Sequence, residues 1–233
     1  MAATLTIVAF GDSTTAVDDW SGQAIEVYAG LLPGALAAFG VRARVLNAGI
    51  SDTTTREARE RLDRDVRAFA PDLVVVQFGI NDSWIDADLG RREPRLTRDE
   101  YRDNLRDFVR TLKADGAQVV LMTPNAMRWA DPVYIEVFEK NPGLLDTQDE
   151  RGINRLLDLY AEDARAVARD EAVPLVDVHR AFEDYGNEPG QSIRDLLIEG
   201  DGIHPNTFGQ RLVCRLLAAE IARLMRPRAG TSS

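Results

Sequence analysis

The chain has 233 residues, of which 45% are hydrophobic and 28% are charged, and this composition is typical of a globular protein rather than a disordered one. Its 28 basic and 38 acidic residues give a net charge of −10, so the overall field does not favour nucleic acid or an anionic membrane as a partner. One cysteine excludes an internal disulfide, and two histidines leave little room for a zinc site made of histidines.

Five short apolar runs are predicted to be β-strands. Most are rich in Val, Ile or Leu, which is typical of strands buried on both faces of a parallel sheet. In chain order they are Leu5–Phe10, Arg42–Asn47, Leu73–Phe78, Val119–Thr123 and Pro174–Asp177. None approaches the ~18 residues of a membrane span, and the first lacks the basic region and cleavage site of a signal peptide. The sequence therefore predicts no stable membrane insertion and a cytoplasmic location.

The longer amphipathic stretches between these runs are predicted to be helices. They are Gln23–Phe39, Arg56–Phe69, the segment that follows Thr97, Asp149–Arg169 and Thr207–Met225. The pair Pro33-Gly34 predicts a kink or break in the first helix, because proline removes a backbone donor.

Two of these helices have a clear apolar face. In the second helix that face consists of Ala58, Leu62, Val66 and Phe69, and the charged residues from Arg56 through Arg67 are expected to cover the opposite face. Thr97 and Glu100 are predicted to form a capping box. The helix behind them repeats apolar residues at helical spacing, namely Tyr101, Leu105, Phe108 and Leu112.

The alternation of strands and helices predicts an α/β domain with one parallel sheet and helices on both of its faces. Residues 1–225 are expected to form this single domain, and residues 226–233 a flexible tail. Two irregular segments, Ser83–Leu96 and Asn125–Gln148, follow the third and fourth strands. Open α/β sheets place their sites at the carboxyl ends of the strands, so these segments are expected to influence specificity.

Four short polar segments are expected at that same sheet edge. Three of them directly follow strands, and the fourth precedes the last helix. They are Gly11-Asp12-Ser13-Thr14, Asn47-Ala48-Gly49, Gly79-Ile80-Asn81-Asp82 and Asp201-Gly202-Ile203-His204-Pro205.

These residue types fit nucleophilic attack on an ester. A serine hydroxyl such as that of Ser13 needs an adjacent base, and an imidazole such as that of His204 titrates near neutral pH. Asp201 lies three residues before His204, close enough to orient the ring. The backbone N–H groups of Ser13 and Gly49 and the side-chain amide of Asn81 are candidate donors to the oxyanion that develops during attack.

The four segments resemble, in order and approximate spacing, the four blocks of the SGNH hydrolases, also called GDSL esterases and lipases. The resemblance covers about residues 4–225 and implies a flavodoxin-like three-layer α/β/α domain with a sheet of about five strands. It implies Ser13 as nucleophile, His204 as base and Asp201 as the orienting acid. It also implies an oxyanion hole made by Ser13, Gly49 and Asn81, and it requires no metal and no organic cofactor.

The chain departs from the family pattern at two positions. Thr14 follows Ser13 where the family name has leucine. Many members carry a second glycine in the pattern Gly-Ile-Ser-Gly-Asp, whereas here Ser51 is followed by Asp52. The second departure concerns the shape of the loop behind the second strand.

Other polar and aromatic residues have competing interpretations. Asp12 and Asp82 are expected to support the site by bracing neighbouring loops. Trp84 and Trp129 are candidate walls of a substrate pocket, with core packing as the equal alternative. His179 is expected to be either structural or exposed, and Cys214 is expected to be a small core residue. The arginines of the irregular segments, Arg91, Arg92 and Arg128, are expected to be solvated rather than to bind an acidic substrate group.

The preferred hypothesis is a serine ester hydrolase that acts through an acyl-enzyme on a small-molecule ester with a short acyl group, such as an O-acetyl group of a carbohydrate. The alternative within the class is a lysophospholipase or thioesterase. The alternative from another class is a flavodoxin-like module that binds phosphate or FMN through the Gly-Asp-Ser-Thr-Thr segment. The oligomeric state stays open, and a homo-oligomer is compatible with the sequence.

Overall fold

Five parallel strands form the central sheet, in the order β2-β1-β3-β4-β5. The computed structural model describes residues 4–16, 25–128 and 154–226. Its strands are β1 Leu5–Gly11, β2 Ala43–Gly49, β3 Leu73–Gln77, β4 Gln118–Met122 and β5 Leu175–Val176. All five predicted strands are therefore confirmed, with bounds that differ by one or two residues.

The helices lie between the strands, as the alternation predicts. They are α1 Tyr28–Ala37, α2 Thr55–Asp65, α3 Ile80–Ser83, α4 Arg98–Ala114, α5 Asn154–Asp170, α6 Val178–Gly186 and α7 Thr207–Met225. The prediction of a break at Pro33-Gly34 is wrong, because α1 continues through both residues. Residues 23 and 24 of the first predicted helix and 149–153 of the fourth lie outside the described residues.

The sheet separates two hydrophobic cores, because successive side chains of a strand point to opposite faces. In β1, Ile7 and Ala9 belong to one core and Val8 and Phe10 to the other. The first core is covered by α1, α6 and α7, and the second by α2, α4 and α5. This arrangement confirms the three-layer α/β/α fold. Burial of each large apolar side chain contributes roughly 1.5–3 kcal/mol to folding.

Helix α2 differs from its prediction at two residues. Phe69 lies beyond its end in a 3-10 turn and is 47% exposed, so it does not belong to the buried face. Arg61, predicted to lie on the solvated face, is buried. Its guanidinium donates to the carbonyl oxygens of Ala48 (2.7 Å) and Gly11 (2.9 Å) and lies over the ring of Phe10. Arg61 therefore ties α2 to the carboxyl ends of β1 and β2.

The start of α4 carries half of the predicted capping box. The Thr97 hydroxyl accepts a hydrogen bond from the N–H of Glu100, as predicted. The carboxylate of Glu100, however, receives two hydrogen bonds from Arg56 on α2, each 2.7 Å long. This side chain therefore joins two helices instead of closing the box.

Two further predictions concern the core and the membrane. Cys214 is buried within the first core, and burial raises the pKa of its thiol to about 11. In the part of the chain that the structure describes, no helix is both long and apolar enough to cross a bilayer. The extent of the domain and the flexible tail stay predictions, since residues 227–233 lie outside the described residues.

Candidate active site

The carboxyl ends of the first three strands place three polar segments side by side. In the sheet register Gly11 pairs with Gly49 on one side and with Gln77 on the other. The segments that follow β1, β2 and β3 therefore leave the sheet at the same level. The last polar segment reaches this edge just before α7, where Leu197 pairs with Pro205 and the His204 carbonyl accepts from Ile198.

A tight turn behind β1 presents Ser13. The buried Asp12 carboxylate accepts from the N–H (3.0 Å) and hydroxyl (2.8 Å) of Thr14, while its carbonyl accepts from Thr15 and Ala16. Such an Asx turn reverses the chain immediately after the strand. Gly11 permits this packing, because a Cβ there would lie 2.3 Å from the Thr15 hydroxyl oxygen. Ser13 is half-buried at the bend.

Ser13, His204 and Asp201 form one continuous hydrogen-bonded chain. Ser13 Oγ lies 2.9 Å from His204 Nε2, and His204 Nδ1 lies 2.5 Å from Asp201 Oδ2. The other oxygen of Asp201 accepts from the N–H groups of Ile203 and His204, so the carboxylate is fixed by its own loop. This order of hydroxyl, imidazole and carboxylate is the geometry by which a serine can lose its proton to a base.

Ser13 and His204 border a small cleft. Its volume is about 310 Å³, and its lining includes Ser13, Asn81, Trp84 and His204. Further lining residues, which the sequence analysis did not assign to a pocket, are Asp52, Ile80, Arg95 and Ile203. Trp84 is half-buried and contributes to the wall, as one of its two interpretations predicted. Trp129 lies outside the described residues.

Asn81 faces the cleft from the first residues of α3. Its side-chain nitrogen donates to the carbonyl of Thr53 at 3.2 Å, and this bond fixes the orientation of the amide. An amide nitrogen carries two hydrogens, so Asn81 retains a second donor.

Gly49 does not take the predicted place at the cleft. Its N–H donates to the side-chain oxygen of Asn47 (2.9 Å), and Gly49 does not line the cleft. The glycine is needed for packing instead, because a Cβ there would lie 2.4 Å from the backbone nitrogen of Ala16. The residue of this loop that lines the cleft is Asp52, whose φ of 56° is in the left-handed region. The structure thus corrects the oxyanion-hole prediction for Gly49.

Two buried carboxylates brace the loops below Ser13. Besides the bonds of Asp12 to Thr14, Asp82 accepts from the N–H (2.9 Å) and the hydroxyl (2.5 Å) of Thr55, so it holds the start of α2 against α3. Both side chains are fully buried, and the Oδ2 atom of each has no hydrogen-bond partner among the described residues. The predicted bracing contacts are therefore present.

Burial dominates the electrostatics of this pair. It raises the pKa of Asp82 to about 7, against the opposing hydrogen bonds from Thr55, and the charge of Asp12 acts in the same direction as burial. Burial also raises the pKa of Asp12, while the hydrogen bonds from Thr14 and the charges of His204 and Arg61 lower it. Desolvation is the cause because a buried carboxylate loses its hydration.

The hydroxyl groups that a phosphate site would need are already engaged. The Thr14 hydroxyl donates to Asp12 and lies 2.6 Å from the side-chain oxygen of Gln77. The Thr15 hydroxyl lies 3.0 Å from the same oxygen and 3.0 Å from the Tyr28 hydroxyl. Both threonines are buried, so the structure does not support the alternative in which this segment holds the phosphate of FMN.

His179 and Arg128 belong to a separate buried cluster. His179 is 5% exposed and lies 3.0 Å from Asp158, in agreement with its predicted structural role. Glu183 completes this group of possible metal ligands, but its carboxylate receives hydrogen bonds from Arg128 and Asn154. Arg128 is therefore an ion-pair partner rather than the solvated arginine that was expected. Arg91 and Arg92 are exposed, as predicted.

The chain matches the family model of the GDSL-like lipases and acylhydrolases over residues 9–212. Among curated relatives, an acetylxylan esterase of Geobacillus stearothermophilus is 31% identical over 193 residues, which are 82% of this chain and 77% of that protein. An esterase of Pseudomonas aeruginosa is 30% identical over 155 residues, or 65% of this chain and 70% of that one.

Solved structures show the same fold. The crystal structure of a lipase/acylhydrolase from Enterococcus faecalis has a TM-score of 0.71 at 27% identity and covers 97% of this chain and 100% of its own. An acetylxylan esterase from Geobacillus stearothermophilus has a TM-score of 0.72 at 26% identity, with 93% and 94% covered. Two variants of that esterase, one with serine and one with histidine replaced by alanine, are described as catalytic mutants.

Proposed function

Because the chain belongs to the GDSL-like lipase/acylhydrolase family and is a carboxylic ester hydrolase, we propose that its substrates are short acyl esters, in particular O-acetyl groups of carbohydrates. Two relatives that are named acetylxylan esterases support this substrate class. The cleft supports the short acyl group, because its volume of about 310 Å³ is at the lower end of the range of roughly 300–1,000 Å³ for ligand pockets.

Ser13 is the proposed nucleophile. The observation that carries the proposal is the pair of hydrogen bonds that link Ser13 to His204 and His204 to Asp201. In the first step Ser13 Oγ bonds to the ester carbonyl carbon, and its proton passes to His204 Nε2. Asp201 holds the other ring nitrogen and stabilises the positive imidazolium. The carbonyl oxygen becomes the oxyanion of a tetrahedral intermediate.

The oxyanion needs donors that are fixed before the reaction. We assign this role to the N–H of Ser13 and the side-chain amide of Asn81, which Thr53 already orients. The loop after β2 contributes its cleft wall at Asp52 and not at Gly49. When the intermediate collapses, the bond from carbon to the leaving oxygen breaks, and His204 returns its proton to the departing alcohol.

The acyl-enzyme is then hydrolysed by the same groups. A water molecule gives a proton to His204 and attacks the acyl carbon. The bond to Ser13 Oγ breaks, Ser13 regains its proton, and the carboxylic acid leaves. Every proton in both steps is accepted and returned by the chain's own side chains.

The substrate class is tested by comparing matched p-nitrophenyl esters of two, four, eight and twelve carbons with acetylated xylooligosaccharides. We expect kcat/KM to be highest for acetyl esters and acetic acid to be released from the oligosaccharides. Ser13→Ala serves as the control for background hydrolysis. A preference for long acyl chains, lysophospholipids or acyl thioesters with little turnover of acetyl esters would contradict the proposal and favour the lysophospholipase or thioesterase alternative.

A small-molecule ester as the partner belongs to this proposal. The absence of a nucleic-acid partner, the cytoplasmic location and a homo-oligomeric state stay predictions from the sequence.

A further inference from the structure

The proton transfer at the site depends on two segments that lie far apart in the sequence. Ser13 and His204 are 191 residues apart, and Ser13 Oγ lies 2.9 Å from His204 Nε2. Ser13 belongs to the turn behind β1, and His204 belongs to the loop that precedes α7. A base must lie within about 2.6–3.2 Å of the hydroxyl whose proton it takes. The contacts that hold these two segments together therefore determine whether His204 can act on Ser13.

The side chain of Gln210 joins the two segments directly. Its nitrogen Nε2 donates to the carbonyl of Thr14, the residue after Ser13, at 2.9 Å. Its oxygen Oε1 accepts from the N–H of Tyr28, the first residue of α1, at 2.9 Å. Gln210 lies in the first turn of α7 and is 2% exposed, so water does not compete for these bonds. The helix that follows His204 is thus bonded to the turn that carries Ser13.

The start of α7 is fixed relative to His204. The Asn206 side chain caps the helix by accepting from the N–H of Gly209 at 3.0 Å, and its carbonyl accepts from the N–H of Gln210 at 2.8 Å. Gly209 packs tightly, since a Cβ there would lie 2.2 Å from the Leu196 carbonyl oxygen. These contacts couple the position of Gln210 to that of His204.

The carbonyl that Gln210 holds belongs to an equally fixed turn. The N–H and the hydroxyl of Thr14 donate to Asp12. The same hydroxyl lies 2.6 Å from the side-chain oxygen of Gln77, the last residue of β3, and Thr14 is buried. Because Ser13 is covalently bonded to Thr14, a shift of the Thr14 carbonyl also shifts the Ser13 side chain.

The loop before α7 is held from two sides. Asn125, which lies behind β4, donates to the carbonyl of Ile203 at 2.8 Å. This bond fixes the loop against the carboxyl end of β4. The bond from Gln210 to Thr14 fixes it against the turn of Ser13 instead. The alignment of base and nucleophile therefore depends on the second of these two bonds.

We propose that Gln210 is a positioning residue that sets the distance between Ser13 and His204. Gln210 does not line the cleft, so it acts through this pair and not on the substrate. The inference rests on the proposed function, which makes Ser13 the nucleophile and His204 the base. A displacement of about 1 Å at a reacting group can lower the rate about 10²-fold, which sets the scale of the expected effect.

The kinetics of Gln210→Met test this role. Methionine is unbranched and of similar length, but it neither donates to Thr14 nor accepts from Tyr28. With p-nitrophenyl acetate, kcat should fall about 10–100-fold while KM changes less than about twofold, because the lining of the cleft is unaltered. The control Gln118→Met replaces an exposed glutamine at the amino end of β4, at the opposite edge of the sheet, and should keep the kcat of the unmodified chain. An unchanged kcat in Gln210→Met would overturn the inference.

A double-mutant cycle separates positioning from general damage to the fold. If Gln210 acts through His204, its substitution should have no further effect once the imidazole is absent. The rates of His204→Ala and of Gln210→Met/His204→Ala should therefore agree within about twofold. The same fold-loss with and without the imidazole would show that the role is only structural, and it would overturn the inference.

Gln210→Glu provides a second variant in case the methionine variant does not fold. A buried carboxyl holds its proton more tightly than an exposed one, and the protonated form offers a donor and an acceptor like the amide. Its kcat, relative to that of the unmodified chain, should therefore fall as pH rises from 5.5 to 9, because the ionised form has no donor for Thr14. A ratio that stays constant over this range would contradict the inference.

Histidine NMR distinguishes failure of this inference from failure of the proposed function. The chain has two histidines, so the ring nitrogen signals of His204 can be assigned with His204→Ala. In Gln210→Met the His204 Nε2 signal should move towards its position in Ser13→Ala, while the signals of His179 stay in place. Absence of p-nitrophenyl acetate turnover in the unmodified chain would refute the proposed function. The NMR result would still decide the role of Gln210, since an unchanged His204 signal would overturn it.

Discussion

Replacing Asp82 by asparagine should change how stability depends on pH. The Asp82 carboxyl is fully buried, and burial raises its pKa from the ordinary value of 3.8 to about 7. Asparagine retains an oxygen that can accept the two hydrogen bonds from Thr55, but it carries no charge. The substitution therefore removes the titration while it preserves the main contacts of the side chain.

The sign follows from proton binding. Between about pH 4 and pH 7 the folded chain holds the Asp82 proton more tightly than the unfolded chain, so the free energy of unfolding falls as pH rises through this window. A shift of about three pH units corresponds to ~4 kcal/mol, which is an upper limit, because Asp12 titrates in the same environment. Above about pH 7 both the folded and the unfolded chain have lost this proton, so the free energy of unfolding no longer changes with pH on account of Asp82.

Urea unfolding at half-unit steps from pH 4.5 to 8.5 measures this dependence. We expect the decline in the free energy of unfolding to be smaller by up to ~4 kcal/mol in Asp82→Asn than in the unmodified chain. The buried amide nitrogen of asparagine has no partner, which lowers the free energy of unfolding of the variant by about 1–3 kcal/mol at every pH. This constant loss does not affect the pH dependence that is compared. The exposed Asp88→Asn is the matched control. Parallel curves for the unmodified chain and Asp82→Asn would refute the reasoning.

Three further substitutions test the site and its support. Asn81→Ala should lower kcat for p-nitrophenyl acetate by about 10²–10³-fold, as for loss of one oxyanion donor, and an unchanged kcat would refute its role. Its free energy of unfolding should fall by only about 0.5–1.5 kcal/mol, the cost of the hydrogen bond to Thr53. Arg61→Ala should lower the free energy of unfolding, measured in urea, by about 2–4 kcal/mol, because two carbonyl groups at strand ends lose a charged donor. A loss below about 0.5 kcal/mol, which is typical of a substitution at an exposed site, would contradict this. Gly49→Ala should cost about 1–3 kcal/mol by calorimetry, because its Cβ would meet the backbone of Ala16, and an unchanged melting temperature would argue against the contact.

The sequence was sufficient to predict the sheet and the contact between Asp201 and His204, because both depend on local patterns. The apolar run of β1 ends directly at Gly11-Asp12-Ser13, and a parallel sheet brings all strand ends to one edge. Asp201 lies three residues before His204, a spacing that permits a contact within one loop, and that contact is present. Ser13 and His204 are far apart in the sequence, and their pairing was predicted from the resemblance of the four segments to one family.

The predictions that differ from the structure concern residue types that can occur at a position for more than one physical reason. Glycine indicates either access for a ligand or close packing, and Gly49 serves packing against Ala16. The backbone of that loop turns through a positive φ at Asp52, where many family members carry a glycine, and aspartate tolerates this region. Arg61 was assigned to a solvated face because its partners are backbone carbonyls of other strands, which no sequence pattern marks. Its spacing of three from the buried Ala58 is the one signal that could have indicated burial.

Arg95 shows the same limit at longer range. It joins Asp52 and Asp86, which are 43 and 9 residues away, and so ties the loop after β2 to the segment after α3 at the wall of the cleft. In the sequence it is one arginine among several in an irregular segment. Only the packing of the two loops distinguishes it from the exposed Arg91 and Arg92.

The most direct test of the central claim is the intact mass of the chain after reaction with a fluorophosphonate, measured beside p-nitrophenyl acetate turnover. The unmodified chain and the control Ser51→Ala should each gain one adduct. Ser13→Ala should gain none and should lose roughly 10⁴–10⁶-fold in kcat while it remains folded. An adduct on Ser13→Ala, or turnover that survives this substitution, would contradict the assignment of Ser13 as the nucleophile.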